Sequence, residues 1–351
     1  MEKNTSLKDK IYQELKEEKL YKNKAEKKLY KNRTEVDKVV KNIFLLLALI
    51  CASFVIFITI FIAIKGIYPF LNNYSTKDGG EAKQSLWSFF TNSRWLYDGT
   101  GGMVFLLLTT LYVTLLSLII SVPTSIFTAL FLVRIVNKRF KEILKTGIEL
   151  LASIPSVIYG LFGVGAICPI VANLGVETYG GRSILSGVIV LALMSIPTIT
   201  MLSITSIEAV DKKLVEASIA LGASNAQTNI KVVLKAAKSG IFAGIILGIG
   251  RVLGEATAVQ MVIGNNSLGT GFLNVFNPGN TLTSAMLAGI GEAYGIGYDV
   301  RFSLGLVLII LILVVSMFLN FVKNKIGEQD EKPMFNFLKI FMNKRKKDEN
   351  K

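Results

Sequence analysis

Six long apolar runs, separated by polar and charge-rich segments, set the pattern of this 351-residue chain. They lie near residues 43–65, 105–133, 147–173, 183–207, 239–264 and 302–322. A hydrocarbon core about 30 Å thick takes about 20 mostly apolar residues to cross as a helix. Each run meets that length, and the pattern predicts an all-α polytopic membrane protein with six transmembrane helices. About forty mostly polar residues precede the first run, whose apolar core is too long for the h-region of a signal peptide. It is expected to stay as an anchor.

The pattern divides the chain into a basic N-terminal arm (1–41), a first transmembrane helix (42–66), an external loop (67–104), a five-helix body (105–322) and a basic tail (323–351). Inside the body, residues 208–237 form a polar interruption that reads as short helix, turn, short helix, because "GASNAQ" breaks the stripe of Leu214, Ala217, Ala220 and Leu221. In the external segment, Trp87 and Trp95 suggest a loop lying along the membrane interface, where tryptophan is enriched.

Composition agrees: 51% of residues are hydrophobic and only 18% are charged, too apolar for an ordinary soluble domain. The formal charge of +14 raises the question of nucleic acid, but its placement answers it. Thirteen Lys or Arg precede residue 42 and nine follow Val322. Most of the rest sit between runs two and three (Arg134, Lys138, Arg139, Lys141, Lys145) and between runs four and five (Lys212, Lys213, Lys231, Lys235, Lys238). The loops of opposite parity are poorer in cations, which by the positive-inside rule places both termini in the cytoplasm of a multi-pass cell-membrane protein. No basic stretch outside the spans has the aromatic interleaving of a nucleic-acid module. The arm repeats "KLYKN" at Lys19 to Asn23 and Lys28 to Asn32, and two readings stand for it: contact with anionic membrane lipid, or a topology signal without a partner.

Chemistry is narrowed by what is missing. The chain has no histidine, and its two cysteines, Cys51 and Cys168, both fall in apolar runs. Triads built on histidine, HExxH zinc sites and cysteine metal motifs are excluded. With no GxxxxGK[ST] phosphate loop either, no catalytic or metal residue is assigned, and any ATP with its magnesium belongs to a partner subunit.

Prolines interrupt three runs: Pro123 in "SVPTS", Pro155 in "SIPSVIYG" and Pro197 in "SIPTITM". Each removes a backbone hydrogen bond and kinks a helix, and the neighbouring Ser and Thr are placed to satisfy freed carbonyls. A plain kink and a hinge or pathway role both remain open for them. Gly240, Gly244 and Gly248 recur every fourth residue, the spacing of close helix packing.

The fifth run holds "GRVLGEATAV", with Arg251 and Glu255 as the only charges between Gly240 and Gly264. A charge at mid-membrane costs about 2.5–3.5 kcal/mol on insertion scales. On one continuous helix the two residues share a face and can pair. The arginine-first order is the poorer one for such a pair, which points instead to use in a transport path, where guanidinium suits a tetrahedral oxyanion.

Two stretches resemble a known family. "EASIALG" followed by "VVL" resembles the EAA loop of binding-protein-dependent ABC importer permeases: Glu216, Ala217, Gly222 and Leu234 match, whereas Ser218 and Lys235 stand where the motif has alanine and proline. "GRVLGEATAVQMVIGN", "ELLASIPSVIYGLFGV" and "TLTSAMLAGIGEA" are similar to segments of PstC-type permeases of bacterial phosphate importers. The resemblance covers roughly residues 100–322 and implies a type I ABC importer permease fold, an ATPase-coupling loop at 208–237 and a phosphate path through Arg251 and Glu255. It also implies four partners: a second, PstA-like permease, a PstB-like ATPase dimer and an external PstS-like phosphate-binding protein. A permease for sulfate or molybdate, and an ion-coupled secondary transporter or channel, are the alternatives.

Overall fold

The centre of the molecule is a seam between two long helices, α3 (Val104–Arg134) and α6 (Ile184–Glu208). Ser117, Ser121, Ser125 and Ala129 are buried at every fourth position of α3. Small residues on one stripe let two backbones approach closely, the main source of helix affinity where lipid removes the hydrophobic drive. Ser125 Oγ donates to the Ile196 carbonyl of α6 at 3.1 Å across that seam. The other face of α6 receives α8 (Asn225–Leu253). Here the predicted glycine stripe does the packing: a Cβ at Gly240 would strike Ser206, at Gly244 it would lie 3.0 Å from Leu202, and at Gly248 2.6 Å from Ile199.

The computed structural model describes residues 38–75, 81–92, 94–95, 101–174, 178–266, 271 and 273–348, with side chains described as far as residue 325. The basic arm before Lys38 lies outside the described residues, and so do both copies of its repeat. Helix α1 (Lys38–Leu71) begins in a separate unit that ends at Phe61, and every residue from Lys38 to Phe61 is exposed. From Ile62 the chain belongs to the second unit. There Ser303 Oγ donates to the Gly66 carbonyl at 2.6 Å, while Asp299 accepts from the Tyr74 hydroxyl at 2.8 Å and pairs with Lys65 at 3.5 Å. Burial and the Asp299 carboxylate together push the Tyr74 phenol far above its ordinary value.

A two-stranded antiparallel hairpin, β1 (Tyr74–Ser75) and β2 (Glu81–Ala82), is the sole departure from helix among the named elements. It leads to α2 (Leu86–Thr91), which carries Phe89 into a cluster with Trp95, Phe105, Leu282 and Leu304. The segment that the sequence reading places outside the membrane is held to the body through one of its two tryptophans: Trp95 is fully buried, and Trp87 is exposed.

Among the described residues, five helices are long and apolar enough to cross a membrane: α1, α3, α6, α8 and the Ile296–Lys325 part of α11 (Ile296–Asp348). The sixth predicted span departs from expectation. The run at 147–173 is divided between α4 (Lys138–Ser153) and α5 (Ser156–Ala172), which meet at 94°. Ile154 is extended (ψ 128°) and Pro155 follows in the same region (ψ 142°), as expected because a proline pushes the preceding residue out of the helical region. Helix α4 is amphipathic and has no fully buried residue; Ile148 packs at the edge of a core cluster, and the Tyr159 hydroxyl of α5 donates to the Leu151 carbonyl at 2.8 Å across the bend. Lys141 ties α4 to Glu208 at 2.6 Å.

The run at 239–264 is also not one helix. Helix α8 stops at Leu253, Gly254 caps it, and a separate α9 (Thr257–Val262) follows before the chain turns at Gly264 (φ 93°) and Asn265 (φ 53°). Helix α9 packs on α5 through Ala258 and Val262. The return segment then enters α10 (Leu282–Leu287), whose Thr281 N-cap forms a capping box with Ser284.

Candidate functional site: a cationic cavity beside a broken helix

The break between α8 and α9 separates the two charges that a continuous helix would have paired. Arg251 lies in the last turn of α8, whereas Glu255 sits in the three-residue connection. Among the described residues, the two side chains make no ion pair. The expectation of a shared helical face is corrected by the stop at Gly254, which swings Glu255 onto the next helix.

Glu255 acts as a local cap. Its Oε1 accepts from the Ala258 backbone N–H at 3.0 Å and from the Thr257 hydroxyl at 3.1 Å. A carboxylate suits this place because the first N–H groups of a helix have no intrahelical acceptors. Ser156, on α5, lies 3.0 Å from Thr257. Since Thr257 uses its one proton on Glu255, Ser156 donates in that contact. Thr283 of α10 closes the cluster by donating to the Glu255 carbonyl at 2.7 Å.

Arg251 points elsewhere. Its Nη1 donates to Thr198 Oγ1 of α6 at 2.6 Å. Thr198 is the residue after Pro197, just as Ser156 is the residue after Pro155. Both proline-linked hydroxyls thus serve the charged residues rather than freed carbonyls. Pro123 and Pro197 lie inside continuous helices, whereas at Pro155 the span is bent by 94° and broken in two. The glycine stripe matters here as well, because Gly248 seats α8 against Ile199, one residue from Thr198.

The guanidinium is half-buried and opens on a cavity of about 620 Å³. Helix α6 supplies Thr198 to its wall, α8 supplies Ala243, Ile246, Leu247, Gly250 and Arg251, and α11 supplies Ser316, Asn320 and Lys323. Among the described residues, no carboxylate lines it. No sequence motif marks Ser316 and Asn320; their signal is polarity at helical spacing within an apolar run, on the face shared with Lys323.

The polar interruption at 208–237 has the expected first short helix and turn, but its second helix is not short: it is the beginning of α8, which runs on to Leu253. Helix α7 (Lys212–Ala220) is capped by Asp211, which accepts from Lys213 N at 2.9 Å, and it buries no residue. Glu216 and Ala217 are exposed, and Leu221 is 89% exposed at its end. Gly222 turns the chain with φ 85°, a left-handed conformation that glycine adopts without strain. Leu234 instead packs inward, against the cluster containing Leu132, Ile207 and Val233. The two departures from the EAA pattern have distinct settings: Ser218 hydrogen-bonds Thr228 at 2.9 Å across the hairpin, and Lys235 lies exposed within α8.

Comparison with known proteins identifies this arrangement. Residues 121–326 match the family model described as binding-protein-dependent transport system inner membrane component. A probable ABC transporter permease protein of Bacillus subtilis, YqgH, is 34% identical over 283 residues, covering 79% of this chain and 88% of its own. The phosphate transport system permease protein PstC of Pasteurella multocida is 32% identical over 237 residues, 61% of this chain and 72% of its own. In three dimensions, a bacterial ABC transporter involved in import of the acidic polysaccharide alginate aligns with TM-score 0.56 at 15% identity, over 83% of this chain and 99% of its own. That likeness bears on the fold alone.

Proposed function

The chain belongs to the family of binding-protein-dependent transport system inner membrane components, and on that premise we propose that this ABC importer permease carries inorganic phosphate inward. The observation that supports the choice is Arg251: a half-buried guanidinium whose sole hydrogen-bond partner among the described residues is a neutral hydroxyl, facing a cavity without carboxylates. Guanidinium presents several N–H donors in a fork that fits tetrahedral oxyanions and keeps its charge at any relevant pH. Several relatives at about this level of identity are named as phosphate permeases, which favours phosphate over sulfate or molybdate.

In this account Glu255 contributes in two ways. Its Oε1 fixes the start of α9. Its Oε2 makes no hydrogen bond among the described residues and is available to accept from a protonated phosphate oxygen. A fully deprotonated oxyanion lacks that proton and gains nothing there.

The permease makes no covalent change in its substrate. Phosphate arrives from an external PstS-like binding protein, and a second, PstA-like permease completes the path. A PstB-like ATPase dimer binds ATP and magnesium. The exposed hairpin from Glu216 to Ala223 docks on that ATPase and transmits its closure to α6 and α8. Both termini face the cytoplasm, on the same side as the hairpin.

The test is ATP hydrolysis by the assembled transporter, with binding protein loaded by phosphate, by sulfate or by nothing. The reading expects stimulation by the phosphate-loaded form alone, lost in Arg251→Ala with assembly intact. Equal stimulation by sulfate would move the substrate to oxyanions in general, and an unaffected Arg251→Ala would remove the arginine from the path.

A further inference from the structure

The cavity beside Arg251 does not end at the arginine. Its α8 wall runs from Arg251 back to Ala243, eight residues or about 12 Å of helix. Opposite that wall, Ser316, Asn320 and Lys323 stand at i, i+4 and i+7 on α11, a spacing that keeps them on one face. Among the described residues, none of these three side chains makes a hydrogen bond or ion pair. A hydroxyl, an amide and an ammonium therefore line the same cavity as Arg251, with donors to offer and no negative charge among the described lining residues.

We infer that Ser316, Asn320 and Lys323 form a second oxyanion station, which receives phosphate from Arg251 on its way to the cytoplasmic side. The inference rests on the phosphate reading above. Its physical basis is a release problem. A guanidinium that binds a tetrahedral oxyanion bidentately holds it tightly, and conduction through a path requires sites weak or numerous enough to let the ion leave. The cavity has the volume of about twenty water molecules, so the anion moves through it hydrated. Lys323 presents a compact, strongly hydrated point charge, weaker for this geometry than an arginine fork. Asn320 and Ser316 bridge the interval with neutral donors, so the anion passes from a tight site to a loose one without crossing a stretch bare of hydrogen-bond donors.

The test uses the complete transporter carrying Cys51→Ser, which removes the exposed cysteine and leaves the buried Cys168. Into it Asn320→Cys, or Ser316→Cys, is introduced, and modification by an anionic sulfonate methanethiosulfonate is compared with its trimethylammonium counterpart. A cationic station predicts that the anionic reagent reacts about tenfold faster, by local concentration of anions. Adding Lys323→Gln is expected to abolish that preference. Inorganic phosphate should slow modification more than potassium chloride at equal ionic strength. Equal rates for the two reagents, or protection by chloride equal to that by phosphate, would overturn the station. Phosphate uptake by the Cys51→Ser transporter, measured in parallel, separates the two claims: uptake without protection sinks the station alone, whereas absence of uptake sinks the phosphate reading.

Discussion

Neutralising Glu255 separates a capping role from an ion pair. In Glu255→Gln the side-chain oxygen can still accept from Ala258 N–H and Thr257 Oγ1, at 3.0 and 3.1 Å in the parent. What is lost is the charge assistance of two hydrogen bonds. Hydrogen bonds to charged groups contribute about 1.5–3 kcal/mol and neutral ones about 0.5–1.5, so with two bonds the substitution is expected to cost about 2–3 kcal/mol. If Glu255 instead neutralised Arg251, the same change would strand a charge and cost about 3–5 kcal/mol. The assay is a double-mutant cycle of Glu255→Gln and Arg251→Gln, read from denaturation midpoints of the purified transporter. The geometry predicts additivity within about 0.5 kcal/mol, as for sites without shared partners. A coupling of 2 kcal/mol or so, with the double variant more stable than either single one, would refute the separation of the two side chains.

Two further substitutions probe the supports of the site. Gly248→Ala places a methyl 2.6 Å from Ile199 Cγ1; overpacking of this kind costs about 1–3 kcal/mol, and Ile199→Val should recover part of it, in stability and in uptake alike. Gly222→Ala forces an L-residue to φ 85° at a cost of about 1–2 kcal/mol; the expected signature is weaker ATPase stimulation with unchanged binding-protein affinity, and Gly222→Asn should be milder.

The long apolar runs translated into helices wherever packing on the neighbours was continuous, as for α3 and α6. The glycine stripe of α8 was equally readable, because its spacing has one physical use and α6 lies against it. The two runs that do not form one straight helix are interrupted at breaks. Pro155 and Pro197 sit in nearly the same motif, "SIPS" and "SIPT", yet one lies at a 94° bend and the other within a helix. The difference comes from surroundings: Pro197 is buried in a helix clasped by α3 and α8, whereas α4 before Pro155 has no fully buried residue. No local pattern states that. The stop at Gly254 had a local signal, a glycine followed by a carboxylate and a threonine just before a new apolar turn, but the strong apolar periodicity outweighed it. Arg251 and Glu255 are recognisable as costly charges; Thr198, which bonds Arg251, and Ser156, which bonds the Thr257 that caps on Glu255, are not, since a hydroxyl beside a proline has an adequate explanation in the backbone. Ser316, Asn320 and Lys323 become a group only when α11 is set against α8.

Uptake of radiolabelled phosphate into proteoliposomes holding the complete transporter, its binding protein and internal ATP tests the central claim most directly, with Arg251→Ala and Arg251→Lys as the paired variants. The account predicts ATP-dependent accumulation by the parent, none with Arg251→Ala, and a reduced rate with Arg251→Lys, which keeps the charge and loses the fork. Accumulation by Arg251→Ala equal to the parent, in a fully assembled transporter, would contradict it.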